Sequence, residues 1–246
     1  VDENPQASQE FYTIVPALQG NGVYYVYSDN RDFANNIYVH QFDLSGNPTW
    51  SSPIKIVETL LDGFLPSDDN VIGAVSNLYG GIVVLFNSGN FLGTNINAIS
   101  INSNGEISDG WSNNGNILCG YDSDQYIEGF VSTPYGILVT FKDNRTGSAD
   151  VYAQLISWSG DLMFDSNGLV VSDAINDQES SSIDFSLELN KALICWEDFR
   201  LGTEYDLYCK YIGFELIDGD DDYQLSTEIE LAGQDNTSGG NQTNPF

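Results

Sequence analysis

The chain has 246 residues, 41% of them apolar, enough to bury the core of one large all-β domain or two small ones, which excludes a disordered chain. Its 36 Asp and Glu against 7 Lys and Arg give a net charge of −29, a field that repels phosphate backbones and anionic lipids and so argues against nucleic-acid or basic-patch membrane partners. No stretch approaches the ~18 uninterrupted apolar residues of a spanning helix, so direct membrane insertion is not expected either.

In chain order, the first residues, VDENPQASQEF, are expected to be a mature N-terminus left by processing, since they carry neither an initiator Met nor an apolar signal core. Four apolar runs follow: VYYVYSDNR from Val23, IVVLFNSGN from Ile82, ILVTFKDNR from Ile137 and ALICWEDFR from Ala192. Each ends on an aromatic, Tyr27, Phe86, Phe141 and Trp196, at spacings of 59, 55 and 55 residues. A period of this size with no helical pattern inside it is the signature of a β-array.

Within the third copy four strands are predicted, YIEGFVST, GILVTFKD, DVYAQLIS and GLVVSD, each bounded by turn residues. The second run of each copy is apolar almost throughout, as a strand covered on both faces must be, and the third alternates. Val83, Leu138 and Leu193 are therefore expected to be buried between neighbouring sheets. The predicted fold is all-β, a β-propeller-like array of four four-stranded antiparallel blades. A solenoid would show shorter coils, and an immunoglobulin-like sandwich would not repeat its own hairpin chemistry. The copies span approximately 1–66, 67–121, 122–176 and 177–231, followed by a polar tail at 232–246. Four blades are few for a closed ring, so the array is expected to be part of a larger propeller or to associate.

The repeat itself, Asp-x-Arg, then Asp/Asn-Ile/Val-Tyr-Ala-Gln, then Ser/Asn-Gly and a later Asp-Gln, resembles that of secreted bacterial surface propellers, many exported by the type IX route. The third copy carries it through Asp143, Arg145, Asp150, Val151, Tyr152, Ala153, Gln154, Gly160, Asp177 and Gln178. The second copy departs from it, with Asn87, Gly89 and Asn95 at the charged positions. The resemblance implies a propeller fold and an extracellular or cell-surface location.

Arg31, Arg145 and Arg200 share one repeat position, beside Asp29, Asp143 and Asp198. Placement in separate copies favours a structural tie within each hairpin over an arginine cluster that grips a carboxylate. The sole histidine, His40, occupies the slot of Gln154 and Lys210, and one His cannot build a zinc cluster. Acid-rich turns at Ser67, Asp122, Asn176 and Asp218 are weak oxygen-ligand candidates; Asp218, Asp220, Asp221 and Asp222 are the best set for calcium, and no other cofactor is expected.

Tyr38, Tyr152 and Tyr208 recur as packing residues, and Trp50, Trp111 and Phe164 share another slot. Trp158 breaks the period and is the expected exposed contact residue. Sequons stand at Asn144, Asn236 and Asn241. Cys195 and Cys209 fall opposite each other in a hairpin centred near Gly202, which fits a disulfide, with two buried thiols as the alternative and Cys119 left free.

The expected function is a secreted non-enzymatic module for adhesion, surface display or assembly, with a protein or glycan surface partner or self-association. The alternative is a carbohydrate-active enzyme, glycoside hydrolase or sialidase-like, on a propeller scaffold. The two are told apart by whether non-repeating acids and aromatics converge in one place.

Overall fold

The computed structural model describes residues 9–18, 22–29, 36–56, 68–90, 93–217, 220–226 and 229–232. They form four antiparallel sheets, with no helix among them. The first contains β1 (Gln9–Pro16), β2 (Gly22–Asp29), β3 (Asn36–Asp43) and β4 (Ile54–Lys55). The second contains β5 (Asp68–Ser76), β6 (Ile82–Asn90), β7 (Gly93–Ile101) and β8 (Asn116–Ile117). In the third are β9 (Gln125–Thr133), β10 (Gly136–Asp143), β11 (Asp150–Ser157) and β12 (Leu169–Ser172). The fourth has β13 (Gln178–Ser186), β14 (Lys191–Asp198), β15 (Asp206–Ile217), β16 (Asp220–Leu225) and β17 (Ile229–Ala232). Strands follow one another in space as in sequence, the up-and-down order of a propeller blade, and the chain is all-β as predicted.

The fourth sheet carries one strand beyond the four expected in each blade. β15 runs for 12 residues against the 8 of β11, so its edge accommodates two partners. β17 pairs with its first half, Tyr208 to Glu230 and Cys209 to Ile229, as β12 pairs with β11. β16 pairs with the extension, and Asp220, Asp221 and Asp222 lie in that strand rather than in a turn. Asp218 lies outside the described residues, as do Arg31, Asn236 and Asn241.

The chain divides into two compact units, one of residues 1–118 with 158–161, the other of 119–157 with 162–246. In the first, Tyr24, Val26, Ile37 and Val39 of the first sheet pack on Ile82, Val84, Phe86 and Ile99 of the second. In the other, Leu138, Val151 and Ala153 of the third sheet pack on Ala192, Ile194 and Trp196 of the fourth. Each such aliphatic side chain contributes about 1.5–3 kcal/mol on full burial. Val83 and Leu138 are buried as predicted. Leu193 is not: it is half-exposed, although Cys195 and Glu197 on the same face of β14 are buried.

Cys195 and Cys209 are paired directly across β14 and β15 and form a disulfide, with Cα atoms 4.0 Å apart. The bridge closes a 14-residue separation that the hairpin already closes. Replacing both cysteines by Ser is therefore expected to cost less than the ~3 kcal/mol of a flexible loop of that size. Urea melts of the double variant check this, and a non-reduced digest should yield the linked peptide.

Candidate functional site

The repeated Asp-x-Arg positions build closed ion pairs. In the third sheet the Arg145 guanidinium donates to Asp143 Oδ2 at 2.6 Å and to the Asn167 carbonyl at 2.9 Å, with its plane 4.0 Å from the Tyr152 ring centre. In the fourth, Arg200 donates twice to Asp198, at 2.9 and 2.6 Å, and lies 3.8 Å from the Tyr208 ring centre. Asp29, Asp143 and Asp198 are all fully buried. Two of the three guanidinium groups thus bind their own hairpins and face tyrosines of the same repeat.

The other sequence-selected residues are dispersed. His40 Nε2 lies 3.2 Å from the Trp50 carbonyl, ten residues on, just as Gln154 Oε1 accepts from the Phe164 amide ten residues on. Both side chains tie down the connection that follows their own strand. Asn144 is exposed in the β10–β11 turn. Trp158 corrects the expectation of an exposed contact: it is half-buried, its carbonyl accepts the Trp111 indole N–H at 3.2 Å, and its own indole N–H is buried. Cys119 is a free buried thiol whose pKa burial pushes up. No group of three or more His, Cys, Asp or Glu among the described residues is arranged to hold a metal ion.

One place brings together Glu128, which the repeat does not copy, and Glu179, whose position the first copy fills with Glu10. The first strand of the first three sheets carries a β-bulge at the same position, occupied by Tyr12, Ile72 and Glu128. In the fourth sheet the bulge is wider and spans Ser180 and Ser181, with Ser180 forced to a φ of 56°. Bulges re-aim side chains, and a non-Gly residue at positive φ marks strain that surrounding contacts must hold. Those contacts are visible: Glu128 accepts the Ser180 amide at 3.0 Å through Oε1 and the Ser181 amide at 2.8 Å through Oε2. The Ser181 hydroxyl in turn donates to Thr140 Oγ1 at 3.0 Å.

Next to that bulge stands a second carboxylate. Glu179 Oε2 is 3.1 Å from Lys142 Nζ, and its Oε1 accepts the Tyr205 hydroxyl at 3.0 Å. Lys142 also sits 5.9 Å from the ring centre of Tyr126, which is exposed. Lys142 and Glu179 keep 27% and 32% of their side-chain surface in solvent, so the cluster is reachable from outside. Burial raises the Glu128 carboxyl above the usual carboxylate range, although the Ser181 and Ser180 hydrogen bonds and the Lys142 charge pull the other way. Burial and the bond to Glu179 push the Tyr205 phenol up to about 12. Two carboxyl groups in unlike environments are the arrangement that separates an acid from a base. Sequence reasoning missed Glu128 and Glu179: the available signal for Glu128 was an acid at a slot that other copies fill with Tyr and Ile, whereas Glu179 stands at a slot that Glu10 also fills.

No protein-family model matches the chain, and no curated protein matches it. Among solved structures it is similar to a thermostable family-43 glycoside hydrolase, at 13% identity and a TM-score of 0.44, over 95% of this chain and 78% of that one. It is also similar to an α-L-arabinanase of Penicillium chrysogenum complexed with arabinobiose, at 10% identity and a TM-score of 0.48, over 88% of this chain and 66% of that one. Both of these structures are enzymes and run against the expectation that the chain is not one, the likeness being one of fold.

Proposed function

We propose that the chain is a carbohydrate-active enzyme that cleaves glycosidic bonds with Glu128 as proton donor and Glu179 as the partner carboxylate. The observation that carries this reading is the non-repeating Glu128 at a repeated bulge, held by the strained Ser180–Ser181 amides beside Glu179. Glycoside hydrolysis requires one carboxyl to protonate the leaving oxygen and a second to act on the anomeric side, and burial, which raises Glu128 above the usual carboxylate range, suits it to the first role. Neither needs a metal or a histidine. Glu128 delivers its proton to the leaving oxygen, and Glu179, fixed by Lys142 and Tyr205, acts on the anomeric side as nucleophile or as base for water. An extracellular or cell-surface setting accords with the Cys195–Cys209 disulfide, which persists in oxidising compartments.

The test is hydrolysis of a panel of aryl glycosides and plant polysaccharides by the wild type, Glu128→Gln and Glu179→Gln. Each substitution is expected to lower turnover by about 10²–10⁴-fold while the chain stays folded. Loss of the donor also sets a pH dependence: activity should fall as pH rises through the raised Glu128 pKa, and Glu128→Gln should lack that limb. Full activity in Glu128→Gln, or a wild type inert on the whole panel, refutes the reading.

A further inference from the structure

The aromatic side chains that belong to the repeat account for one another. Tyr27 stacks on Tyr38, Phe141 on Tyr152 and Trp196 on Tyr208, with ring centres 5.5, 5.7 and 6.3 Å apart, and none of these rings belongs to a residue more than 9% exposed. Tyr126, Phe199 and Tyr205 follow no such rule. Tyr126 pairs with the residue after Phe141, and the same register holds Glu10, Asn70 and Glu179 in the other sheets. Phe199 stands where the second and third copies have Gly89 and Asn144, and Tyr205 where they have Thr94 and Ala149.

These non-repeating rings gather about one carboxylate. Glu179 accepts the Tyr205 hydroxyl at 3.0 Å on Oε1, and the Phe199 ring centre lies 5.0 Å from that of Tyr205. On its other oxygen, Oε2, Glu179 takes Lys142 Nζ at 3.1 Å, and the same ammonium is 5.9 Å from the Tyr126 ring centre. All five residues lie in the unit of 119–157 with 162–246, and Glu128 follows Tyr126 by two positions on β9. Tyr126 differs from the stacked rings of the repeat in being 38% exposed. It thus offers a bare aromatic surface next to a solvent-reachable ion pair.

That combination matches the two kinds of surface a sugar presents. A pyranose with equatorial hydroxyls carries axial C–H bonds on its faces and hydroxyls around its edge. The C–H face suits the negative face of an exposed ring, and the edge suits an ammonium with donors to spare beside a carboxylate. An acidic sugar is disfavoured, because Lys142 is already matched by Glu179 in a chain of net charge −29.

We propose that Tyr126 is the platform of a sugar-binding subsite beside Glu179, on which a neutral pyranose residue of a polysaccharide stacks while Lys142 donates to its hydroxyls. The assignment rests on the reading of Glu128 and Glu179 as the reacting pair and adds the chemical class of the sugar held next to them.

Native electrophoresis of the full chain through gels containing hydroxyethyl cellulose, soluble xylan or glucomannan tests this, since the charge of −29 drives migration and bound polysaccharide retards it. At least one of these neutral polymers should retard the wild type. Tyr126→Ala should weaken that binding by about 5–10-fold, the worth of one aromatic contact. Tyr126→Phe should bind within about 2-fold of the wild type, because the ring and not the hydroxyl is the platform. Tyr126→Asn installs the residue that the second copy holds at this place, so the strand tolerates it, and it should bind as weakly as Tyr126→Ala. Tyr79→Ala removes a tyrosine that is 74% exposed in the other unit and should bind like the wild type. Equal retardation of the wild type, Tyr126→Ala and Tyr126→Asn overturns the assignment. So does a wild type that no neutral polymer retards, or one that polygalacturonate retards more strongly. A chain that hydrolyses glycosides through Glu128 yet binds without Tyr126 loses this inference alone, whereas one that binds through Tyr126 and hydrolyses nothing loses the enzymatic reading and keeps its sugar platform.

Discussion

Replacing Asp143 by Ala is expected to destabilise the chain by about 3–5 kcal/mol, the cost of breaking a buried pair from one side. Asp143 is 0% exposed and accepts four hydrogen bonds: the Ser123 hydroxyl at 2.7 Å, the Arg145 amide at 2.8 Å, the Arg145 guanidinium at 2.6 Å and the Cys119 thiol at 3.8 Å. Without it the guanidinium, only 12% exposed, retains the Asn167 carbonyl and the tyrosine rings but no counter-charge. Arg145→Ala should cost less, about 1–3 kcal/mol, because the remaining carboxylate keeps its hydroxyl and amide donors. Burial pushes the Asp143 carboxyl up, but the hydrogen bonds from Arg145 and Ser123 and the adjacent charge outweigh it and hold the group below the usual range. With a folded pKa below the unfolded value near 4, this contribution is present above that pH and is lost as pH falls through the folded pKa. Urea melts at neutral and acid pH check both statements. A variant that melts within 1 kcal/mol (roughly the worth of one ordinary hydrogen bond) of the wild type at pH 7 refutes the first, and one that keeps the wild type's full acid sensitivity refutes the second.

Gly136→Ala should be comparably damaging, at about 3 kcal/mol or more. Gly136 opens β10 at a φ of 151°, and a Cβ there would lie 2.0 Å from the Ile156 carbonyl oxygen on the paired strand. Gly22 and Gly81 hold the same place in their sheets, with 1.9 and 2.2 Å to the oxygens of Phe42 and Ile101. Since the obstruction is backbone, no rotamer change relieves it, and the hairpin has to open. The fourth sheet solves the same junction differently, with Asn190 at a φ of 49° ahead of Lys191. Gly147→Ala is the control: its φ is 97° but nothing lies within 4 Å, so only the ~1 kcal/mol of backbone strain should be lost. Equal losses for the two variants in thermal or urea melts would show that the close strand approach is not what Gly136 provides.

The second strands, their terminal aromatics and the Cys195–Cys209 register were legible in the sequence because each depends on local periodicity and hairpin arithmetic. Leu193 was misread for a reason local pattern cannot supply: its burial depends on what lies outside its own strand, and the pattern of Leu138 recurs without reporting it. Asp220–Asp222 look like a turn by composition, yet the free edge of the long β15 recruits them into a strand. Trp158 looked exposed because it breaks the period, but its backbone sits where Trp111 of the neighbouring repeat must land. Glu128 and Glu179 escaped notice because a bulge is a change of register between strands, and a single strand read alone does not display it.

The tryptophans that reach from one repeat onto the next turn turn copy number into an evolutionary variable. Trp50 ends on Ser103, and Trp111 ends on Trp158, 55 residues further on, so successive junctions are built from the same parts. A recombination event that duplicates or removes one whole period between these two junctions conserves a donor indole and an acceptor carbonyl at the new one, and the stability of the product changes by roughly one repeat and one interface. A breakpoint that separates an indole from the turn behind it leaves that carbonyl without its indole donor and a glycine turn uncovered. Lengthening and shortening of such a chain is thereby confined to steps of about 55 residues, and its lineage should be written in whole repeats.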